Sequence, residues 1–303
     1  PAMSFETLLD AETIERFTGQ GFWLGKTITD FLDEAAAAAP DQLAFVDSRR
    51  SITYAALKAE IDRCAWGMLA MGIRPGDVVS FRLPNWIEFI VVNYAATRIG
   101  AISNPLIPIY REREVGFMVG LAESRLIVVP STFRSFDHAA MVESLRKDWP
   151  ALQRVLVVDA REGEDSFEAF MATPWEQGHD PAELAAYRPD ANEVSTIIFT
   201  SGTTGEPKGV MHTHNTLVAA NVPIPARMGL TADSVIHMAS TLAHLTGFLY
   251  GARLPVQNGL TCILQDIWNA DEFLELVRRH RISYTSGATP FLLSMIVVLL
   301  VLT

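Results

Sequence analysis

Short apolar segments alternate with amphipathic segments along most of this chain. Between residues 54 and 68 the apolar side chains recur at spacings of three and four, which is the period of one helix face. The same reading gives helices at 54–68, 86–98, 112–122, 136–147, 215–220 and 269–279, and strands at 78–83, 126–129, 154–158, 194–199, 234–238, 261–264 and 282–286. The chain is therefore predicted to alternate between strands and helices.

Turn and capping residues mark the ends of several predicted helices. Gly72 ends the first helix, and Gly100 ends the second. Asn85 is predicted to cap the start of that second helix. Asn269 and Glu272 have the spacing of a capping box, which predicts a helix beginning there.

The alternation of strands and helices predicts an α/β fold, with two layered lobes and largely parallel sheets. The segment 180–192 is rich in proline and aspartate and is the predicted connection between the lobes. We therefore assign residues 1–185 to a first α/β lobe and residues 186–303 to a second lobe that carries the loop discussed below.

Composition narrows the class of protein. The chain has 303 residues, of which 49% are hydrophobic and 19% charged, which is typical of a globular protein with a sizeable core. Its net charge of −11, without a basic cluster, argues against a nucleic-acid partner. Cys64 and Cys262 lie in apolar segments and are predicted core residues. The first ten residues do not resemble a signal peptide, so we expect a cytoplasmic protein.

The last residues are unusually apolar. Residues 291–302 contain one serine and otherwise only apolar side chains, and they are too few to span a bilayer as a helix. Such an end is expected to cause self-association or homo-oligomerisation. A shortened protein, an artificial tail and a terminal element buried in the core remain open as explanations, and we favour the first two together.

The segment 200–209 carries the clearest chemistry. It follows the strand at 194–199, and Gly202 and Gly205 allow a tight turn that exposes backbone N–H groups. Its further donors are the hydroxyls of Ser201, Thr203 and Thr204, and its cation is Lys208. Donors and a cation on a turn after a strand suit a polyphosphate. A surface loop without function is the alternative interpretation.

The spacing of this segment differs from that of a Walker loop, in which the lysine follows the second glycine directly. Here Glu206 and Pro207 separate Gly205 from Lys208. The segment instead resembles the phosphate-binding signature of the adenylate-forming, or AMP-binding, enzymes. These enzymes include acyl-CoA synthetases, luciferases and the adenylation domains of peptide synthetases.

Other segments are similar to the same family. Residues 52–57 resemble its Thr-Tyr-x-x-Leu signature, and residues 100–108 resemble its second signature. Residues 243–247 are similar to a His-x-x-Gly element beside the acyl pocket. The surrounding stretch, 238–251, most resembles fatty-acid and cyclohexanecarboxylate-CoA ligases. Together these matches cover about residues 52–290.

The resemblance implies both a reaction and its ligands. A carboxylate attacks the α-phosphate of ATP to give an acyl-adenylate and pyrophosphate, and the thiol of coenzyme A then displaces AMP. ATP, Mg²⁺, coenzyme A and a small apolar carboxylic acid are the implied ligands and cofactors. The residues implied to bind the nucleotide are Thr200, Ser201, Gly202, Thr203, Thr204, Gly205, Pro207, Lys208 and Gly209.

Two histidine positions leave alternatives open. By resemblance, His244 borders and gates the acyl pocket together with Gly247, and it joins Lys208 as a catalytic candidate; a partly buried structural histidine is the other interpretation. His212 and His214 form a His-x-His pair that could bind a metal, but capping or packing of the following helix is preferred. We therefore assign no metal ligand.

The chain also departs from the family pattern. The adenine-contacting Gly-Ala-Pro stretch, the Tyr-Gly-x-Thr-Glu motif whose glutamate holds Mg²⁺, the ribose-binding aspartate and the lysine of the small C-terminal domain have no match. We therefore expect an N-terminal fragment with an incomplete second lobe, no small domain and impaired catalysis. An aryl-CoA ligase, a peptide-synthetase-like adenylation domain and a non-catalytic ATP- or acyl-binding fragment remain alternatives.

Overall fold

The computed structural model describes residues 5–200 and 206–302, with side chains described as far as Ile296. The strands are β1 (Leu43–Val46), β2 (Ser51–Thr53), β3 (Val78–Phe81), β4 (Ile102–Pro105), β5 (Leu126–Pro130), β6 (Thr132–Phe133), β7 (Phe136–Asp137), β8 (Arg154–Val158), β9 (Val194–Thr200), β10 (Lys208–Thr213), β11 (Val235–Met238), β12 (Thr261–Leu264) and β13 (Tyr284–Ser286).

The helices are α1 (Ala11–Gly19), α2 (Ile28–Ala38), α3 (Tyr54–Ala70), α4 (Ile87–Arg98), α5 (Glu112–Leu121), α6 (His138–Leu145), α7 (Phe167–Ala172), α8 (His214–Asn221), α9 (Ile224–Met228), α10 (Leu245–Gly247), α11 (Leu254–Gln257), α12 (Ala270–His280) and α13 (Thr289–Leu302). A π-helix (Phe248–Arg253) joins α10 to α11, and 3₁₀ helices form at Arg146–Asp148 and Pro181–Tyr187.

Two large sheets and the short antiparallel pair β6–β7 organise the strands. The six-stranded sheet has the order β10-β9-β4-β3-β5-β8, and its strands are parallel except for the antiparallel pair β9–β10. The five-stranded sheet has the order β13-β11-β12-β1-β2, and there the antiparallel pair is β1–β2. The predicted α/β fold with largely parallel sheets is confirmed.

The predicted boundary at residue 185 does not separate the two sheets. Strands β1 and β2 precede it but join the sheet of β11 and β12, whereas β9 and β10 follow it but join the sheet of β3 and β4. Parallel neighbours are connected by long crossovers, so the chain can leave a sheet and return to it much later. Assigning 1–185 and 186–303 to separate lobes therefore needs correction.

Helix α4 lies in the cluster of buried side chains that joins the two sheets. Every residue from Ile87 to Arg98 is buried, as expected for a helix that is covered on all sides. The same cluster contains Phe81 of the six-stranded sheet and Ile236 of the five-stranded sheet. Cys64 and Cys262 are buried free thiols in this cluster, which confirms their prediction as core residues.

Asn85 does not cap α4, contrary to the sequence prediction. Its amide nitrogen lies 3.0 Å from the carbonyl oxygen of Ser240 and 3.1 Å from that of Gln265, and its Oδ1 accepts from the backbone N–H of Leu242 at 2.9 Å. The first backbone N–H of α4 donates instead to Oδ2 of Asp47, at 2.7 Å. Asn85 therefore links the start of α4 to the edge of the other sheet.

The capping box predicted at the start of α12 is half formed. The backbone N–H of Glu272 donates to Oδ1 of Asn269 at 2.9 Å, so Asn269 is the predicted N-cap. The carboxylate of Glu272 does not return to the cap but accepts from Nε2 of Gln265, at 2.9 Å. A tertiary hydrogen bond thus replaces the second, local one.

The apolar C-terminal residues form α13. Phe291 packs edge-on against Trp268 with 5.0 Å between ring centroids, whereas Leu292, Leu293 and Ile296 are 44%, 58% and 52% exposed. Self-association through this segment is not supported by any contact or relative described here and stays a prediction. Among the described residues, no helix is both long and apolar enough to cross a membrane.

Candidate functional site

The predicted phosphate loop connects two antiparallel strands at the edge of the six-stranded sheet. Strand β9 ends at Thr200 and β10 begins at Lys208, and these two residues pair in register. The hydroxyl of Thr200 donates to the carbonyl oxygen of Lys208 at 3.5 Å. The predicted ligands Ser201, Gly202, Thr203, Thr204 and Gly205 lie outside the described residues, and their contacts with phosphate stay predictions.

The position of this hairpin suits a ligand site. Strand β9 is parallel to β4, with Thr196 opposite Ser103, so Thr200 lies at the carboxyl end of the parallel strands. Ligands of open α/β sheets bind in the crevice outside those ends. Lys208 is exposed there and forms no salt bridge with any residue that the structure describes. An ammonium group is therefore free to meet an anion beside the loop.

Gly209 has a packing role in the described structure. It pairs with Phe199, and a Cβ atom at this position would lie 3.0 Å from Cγ2 of Ile197 and 3.4 Å from the ring of Phe199. Glycine thus lets β10 lie close to the large side chains of β9. Pro207 is half-buried just before the strand. Nucleotide contacts of Pro207 and Gly209 stay predictions.

His244 is exposed and caps α10. Its Nδ1 accepts from the backbone N–H of Thr246 at 3.3 Å, and its carbonyl oxygen accepts from the backbone N–H of Phe248 at 2.8 Å. In a neutral ring, an accepting Nδ1 leaves the proton on Nε2. The hydrogen bond supports a capping role for His244, but the ring is exposed and not partly buried as the structural interpretation had it. Gating of an acyl pocket by His244 stays a prediction.

Gly247 occupies a place where no side chain fits. It is buried, and a Cβ atom would lie 2.1 Å from the carbonyl oxygen of Thr241 and 2.8 Å from that of Ser240. Both are backbone atoms, so they cannot move aside as a flexible side chain would. Close backbone approach accounts for glycine in the His-x-x-Gly element, and contact of Gly247 with a substrate stays a prediction.

The π-helix contains a buried charged residue, Arg253, that the sequence analysis did not identify. Arg253 is 1% exposed, and its guanidinium carbon lies 5.8 Å from the ring centroid of Phe248. Its Nε and Nη2 have no hydrogen-bond partner in the described part of the chain. Burial lowers the pKa of Arg253 to about 10. The available signal was an arginine inside an otherwise apolar run, 252–256.

The His-x-His pair packs at the start of α8. Thr213 caps this helix by accepting from the backbone N–H of Thr216 at 3.1 Å, and His214 is its first residue, 1% exposed. Burial lowers the pKa of His214 to about 3, and the charge of Arg253 adds to this. Burial also lowers the pKa of half-buried His212. Across residues 5–200 and 206–302, no three His, Cys, Asp or Glu side chains form a group that could hold a metal.

Comparison with known proteins defines the class. The family model for the AMP-binding enzyme matches residues 32–300, and the chain belongs to that family. The resemblance stated from its motifs is thus confirmed. The chain is 34% identical over 281 residues to the medium-chain fatty-acid–CoA ligase of Escherichia coli (strain K12), covering 92% of this chain and 49% of that protein.

Two further comparisons extend this result. Over 206 residues the chain is 36% identical to the 2-hydroxy-7-methoxy-5-methyl-1-naphthoate–CoA ligase of Streptomyces carzinostaticus, covering 67% of this chain and 37% of that protein. The structure of Mycobacterium smegmatis MbtA without ligand superimposes with a TM-score of 0.85 at 26% identity, covering 94% of this chain and 52% of that one. The chain spans about half the length, or less, of these relatives.

Proposed function

We propose that this chain carries the nucleotide- and acid-binding part of an ATP-dependent acyl-CoA synthetase. In that reaction a carboxylate attacks the α-phosphate of ATP, the bond to pyrophosphate breaks, and the thiol of coenzyme A later displaces AMP from the acyl-adenylate. Family membership and the fatty-acid–CoA ligase relative support this proposal. The observation that carries it is the exposed Lys208 beside the loop at the carboxyl end of β9.

The first half of the reaction is chiefly a problem of charge. A carboxylate must approach a triphosphate, and pyrophosphate must leave, so positioning and neutralisation supply most of the catalysis. The ammonium group of Lys208 would neutralise the leaving phosphates, and the N–H groups of the glycine-rich loop would orient them. The reaction does not require a nucleophilic side chain.

Magnesium is implied by the family, and the motif whose glutamate would hold it has no match in this sequence. Mg²⁺ in nucleotide enzymes takes one or two carboxylates together with phosphate oxygens. The part of the chain that the structure describes holds no group of three His, Cys, Asp or Glu side chains suited to a metal. Of this chain's own groups, Lys208 and the backbone N–H groups of the loop are the ones proposed to neutralise the phosphates.

Two alternatives have specific support. The first alternative is an aryl-CoA ligase or a peptide-synthetase-like adenylation domain. Similarity to the naphthoate–CoA ligase of Streptomyces carzinostaticus supports an aromatic acid as its substrate. The half-length coverage of the relatives favours a fragment that binds ATP or an acid without turnover. A cytoplasmic location is part of the main proposal, because ATP and coenzyme A are cytoplasmic substrates.

Exchange of labelled pyrophosphate into ATP tests the proposal, using the 303-residue protein and a panel of fatty, alicyclic and aryl acids. Exchange that depends on a fatty or alicyclic acid supports the main proposal, whereas exchange with aryl acids alone supports the first alternative. Folded protein that binds ATP without exchange supports the binding fragment. Absence of both ATP binding and exchange contradicts the proposed nucleotide site.

A further inference from the structure

The guanidinium edge of Arg253 formed by Nε and Nη2 has no partner among residues 5–200 and 206–302. The same edge of Arg188 shows what it can bind: there Nε donates to Oδ1 of Asp30 at 2.9 Å, and Nη2 donates to Oδ2 at 2.7 Å. Two parallel donors match the two oxygens of a carboxylate in one plane. Arg253 thus presents a complete bidentate edge without an acceptor.

An unpaired guanidinium in this position is energetically unfavourable. Arginine side chains are rarely fully buried unless they are paired, yet Arg253 is 1% exposed. Arg98 gives the comparison within the same core: it is 9% exposed, and it contacts the carboxylates of Asp33 and Asp62 at 2.6 and 3.1 Å. Among the described residues, no carboxylate forms a salt bridge with Arg253. A ligand acceptor would supply what the fold does not.

His214 adds a second unpartnered group beside the π-helix. Its Nδ1 is buried, and no described residue forms a hydrogen bond with it. Helix α8, which His214 begins, is tied to the π-helix by Asn221, whose amide nitrogen donates to the carbonyl oxygen of Leu249 at 3.0 Å. A neutral histidine can donate from Nδ1. The two unpartnered side chains therefore belong to helices that are in direct contact.

The π-helix packs on the same side of the six-stranded sheet as Lys208. Side chains of β10 alternate between faces, so Lys208 and His212 share the face that carries Ile198. Ile198 packs in one buried cluster with Phe248 and the residue before Arg253. Four residues of strand separate Lys208 from His212, which is about 13 Å. An elongated acid with one end near Lys208 would extend toward the interior.

We propose that Arg253 and His214 bind an acceptor oxygen at the far end of the acid substrate, supplied by a second carboxylate or a ketone. This inference rests on the proposed function, which places the reacting carboxylate near Lys208. The preferred substrates would then be diacids or oxo acids of medium length rather than plain fatty acids. Arg253 is a specificity residue in this proposal and takes no part in bond formation.

Equilibrium dialysis of the 303-residue protein tests this preference directly. Octanoic, octanedioic and 7-oxooctanoic acids differ at the far end and share the reacting carboxylate. We expect the diacid or the oxo acid to bind at least about tenfold more tightly than octanoic acid, because each gains a charge-assisted hydrogen bond that octanoic acid lacks. This comparison uses the unaltered protein and does not depend on the folding of a variant.

Variants then assign the preference to Arg253. We expect Arg253→Met to abolish the preference for the diacid and the oxo acid, because it removes the hydrogen bonds to their far ends. Octanoic acid has no acceptor at its far end and should bind within about threefold of the original affinity. Arg253→Lys, which keeps the charge without the fork, should retain part of the preference. Arg63→Met removes a guanidinium that pairs with Glu176 and should leave the preference intact.

The outcomes separate this inference from the proposed function. Equal binding of all three acids to the unaltered protein overturns the inference and leaves the acid site in place. A preference that survives in folded Arg253→Met also overturns it. Binding of ATP without binding of any acid contradicts the proposed acid site itself.

Discussion

Two cations of this protein lie in opposite environments. Lys208 is exposed at the beginning of β10, at the edge of a sheet and beside a glycine-rich loop. Arg253 is 1% exposed at the end of a π-helix, among the side chains of the core. The ammonium of Lys208 keeps its hydration, whereas burial lowers the pKa of Arg253 to about 10.

This difference teaches how each cation can be recognised. An exposed lysine costs the fold little, so its meaning comes from the loop beside it, which the sequence shows directly. A buried arginine costs the fold several kcal/mol unless it is paired, so it requires a reason. That reason becomes visible only when the helices around the arginine are known.

Acid pH should destabilise the folded protein through three buried histidines. Burial lowers the pKa of His214 and His138 to about 3 and that of His237 to about 4, from an ordinary value of 6.5. Above pH 6.5 these histidines are neutral in both states, and stability is full. As the pH falls below 6.5, the unfolded chain takes up protons that the folded chain excludes, and stability is lost down to the folded pKa values.

At pH 5 this amounts to about 2 kcal/mol for each histidine, or roughly 6 kcal/mol in total, relative to pH 7. Urea denaturation at a series of pH values measures the slope. The variant His237→Gln removes one of the three groups and should reduce the mean slope between pH 7 and pH 5 by about a third, or roughly 1 kcal/mol per pH unit. A stability that stays constant between pH 7 and pH 5 would contradict neutral, buried histidines.

Gly247→Ala should be the most damaging single substitution near the π-helix. The new Cβ would lie 2.1 Å from the carbonyl oxygen of Thr241, a backbone atom, so we expect a loss of about 3 kcal/mol or more in the free energy of unfolding.

Gly116→Ala in α5 is the matched control, because its nearest neighbour would be Cδ2 of Leu145 at 3.7 Å. In a helix this change should be neutral or stabilise the protein by up to about 1 kcal/mol. Chemical denaturation of the two variants separates them. If the free energy of unfolding of Gly247→Ala lies within about 1 kcal/mol of that of the unaltered protein, the backbone does not approach this residue as closely as described.

Two buried arginines should respond differently to loss of charge. Arg98→Met removes the guanidinium from Asp33 and Asp62 and leaves Lys58 as their remaining cation among the described residues. We expect a loss of about 2 kcal/mol, because a paired, buried guanidinium is replaced by an apolar side chain beside two carboxylates. Arg253→Met leaves no carboxylate unpaired in the described structure and should be neutral or stabilising in the absence of an acid. Thermal denaturation without ligands measures the change in stability of both variants. Comparable destabilisation by both variants would mean that Arg253 is paired after all.

Lys208→Ala should have the smallest effect on stability, within about 0.5 kcal/mol, because the side chain is exposed and forms no salt bridge with a described residue. Its effect on ATP should be larger, with binding weakened about tenfold through loss of a charge-assisted contact. Lys147→Ala, an exposed lysine after α6, removes the same charge at another place. Equal ATP affinity in both variants would argue against the phosphate-loop assignment.

Local patterns predicted much of the fold. The period of the apolar residues identified α3, and the capping residue Asn269 identified the start of α12. The strand before the loop ends at Thr200, one residue beyond its predicted end, and β10 follows it. Each of these signals lies within a few neighbouring residues, because helix period, caps and turns depend on local backbone geometry.

Where the sequence analysis was wrong, distant residues compete with local ones. Asn85 lies one residue before Trp86, the N-cap of α4, and its side chain bonds to Ser240, 155 positions away. Asp47 accepts from the first backbone N–H of the helix instead. Sheet membership likewise ignores the boundary at residue 185, since β1 pairs with β12. A buried amide gains more from satisfying several backbone groups than from one exposed cap.

The sequence by itself determined the family motifs, the α/β alternation and the loop that ends at Lys208, because these features depend on neighbouring residues. The tertiary structure alone decided the order of strands in the two sheets, the close packing at Gly247 and the unpaired edge of Arg253. Those features depend on which residues, distant in the sequence, pack together in the core. Whether a charge is buried is decided by that packing, and burial raises the free energy of an unpaired charge by several kcal/mol.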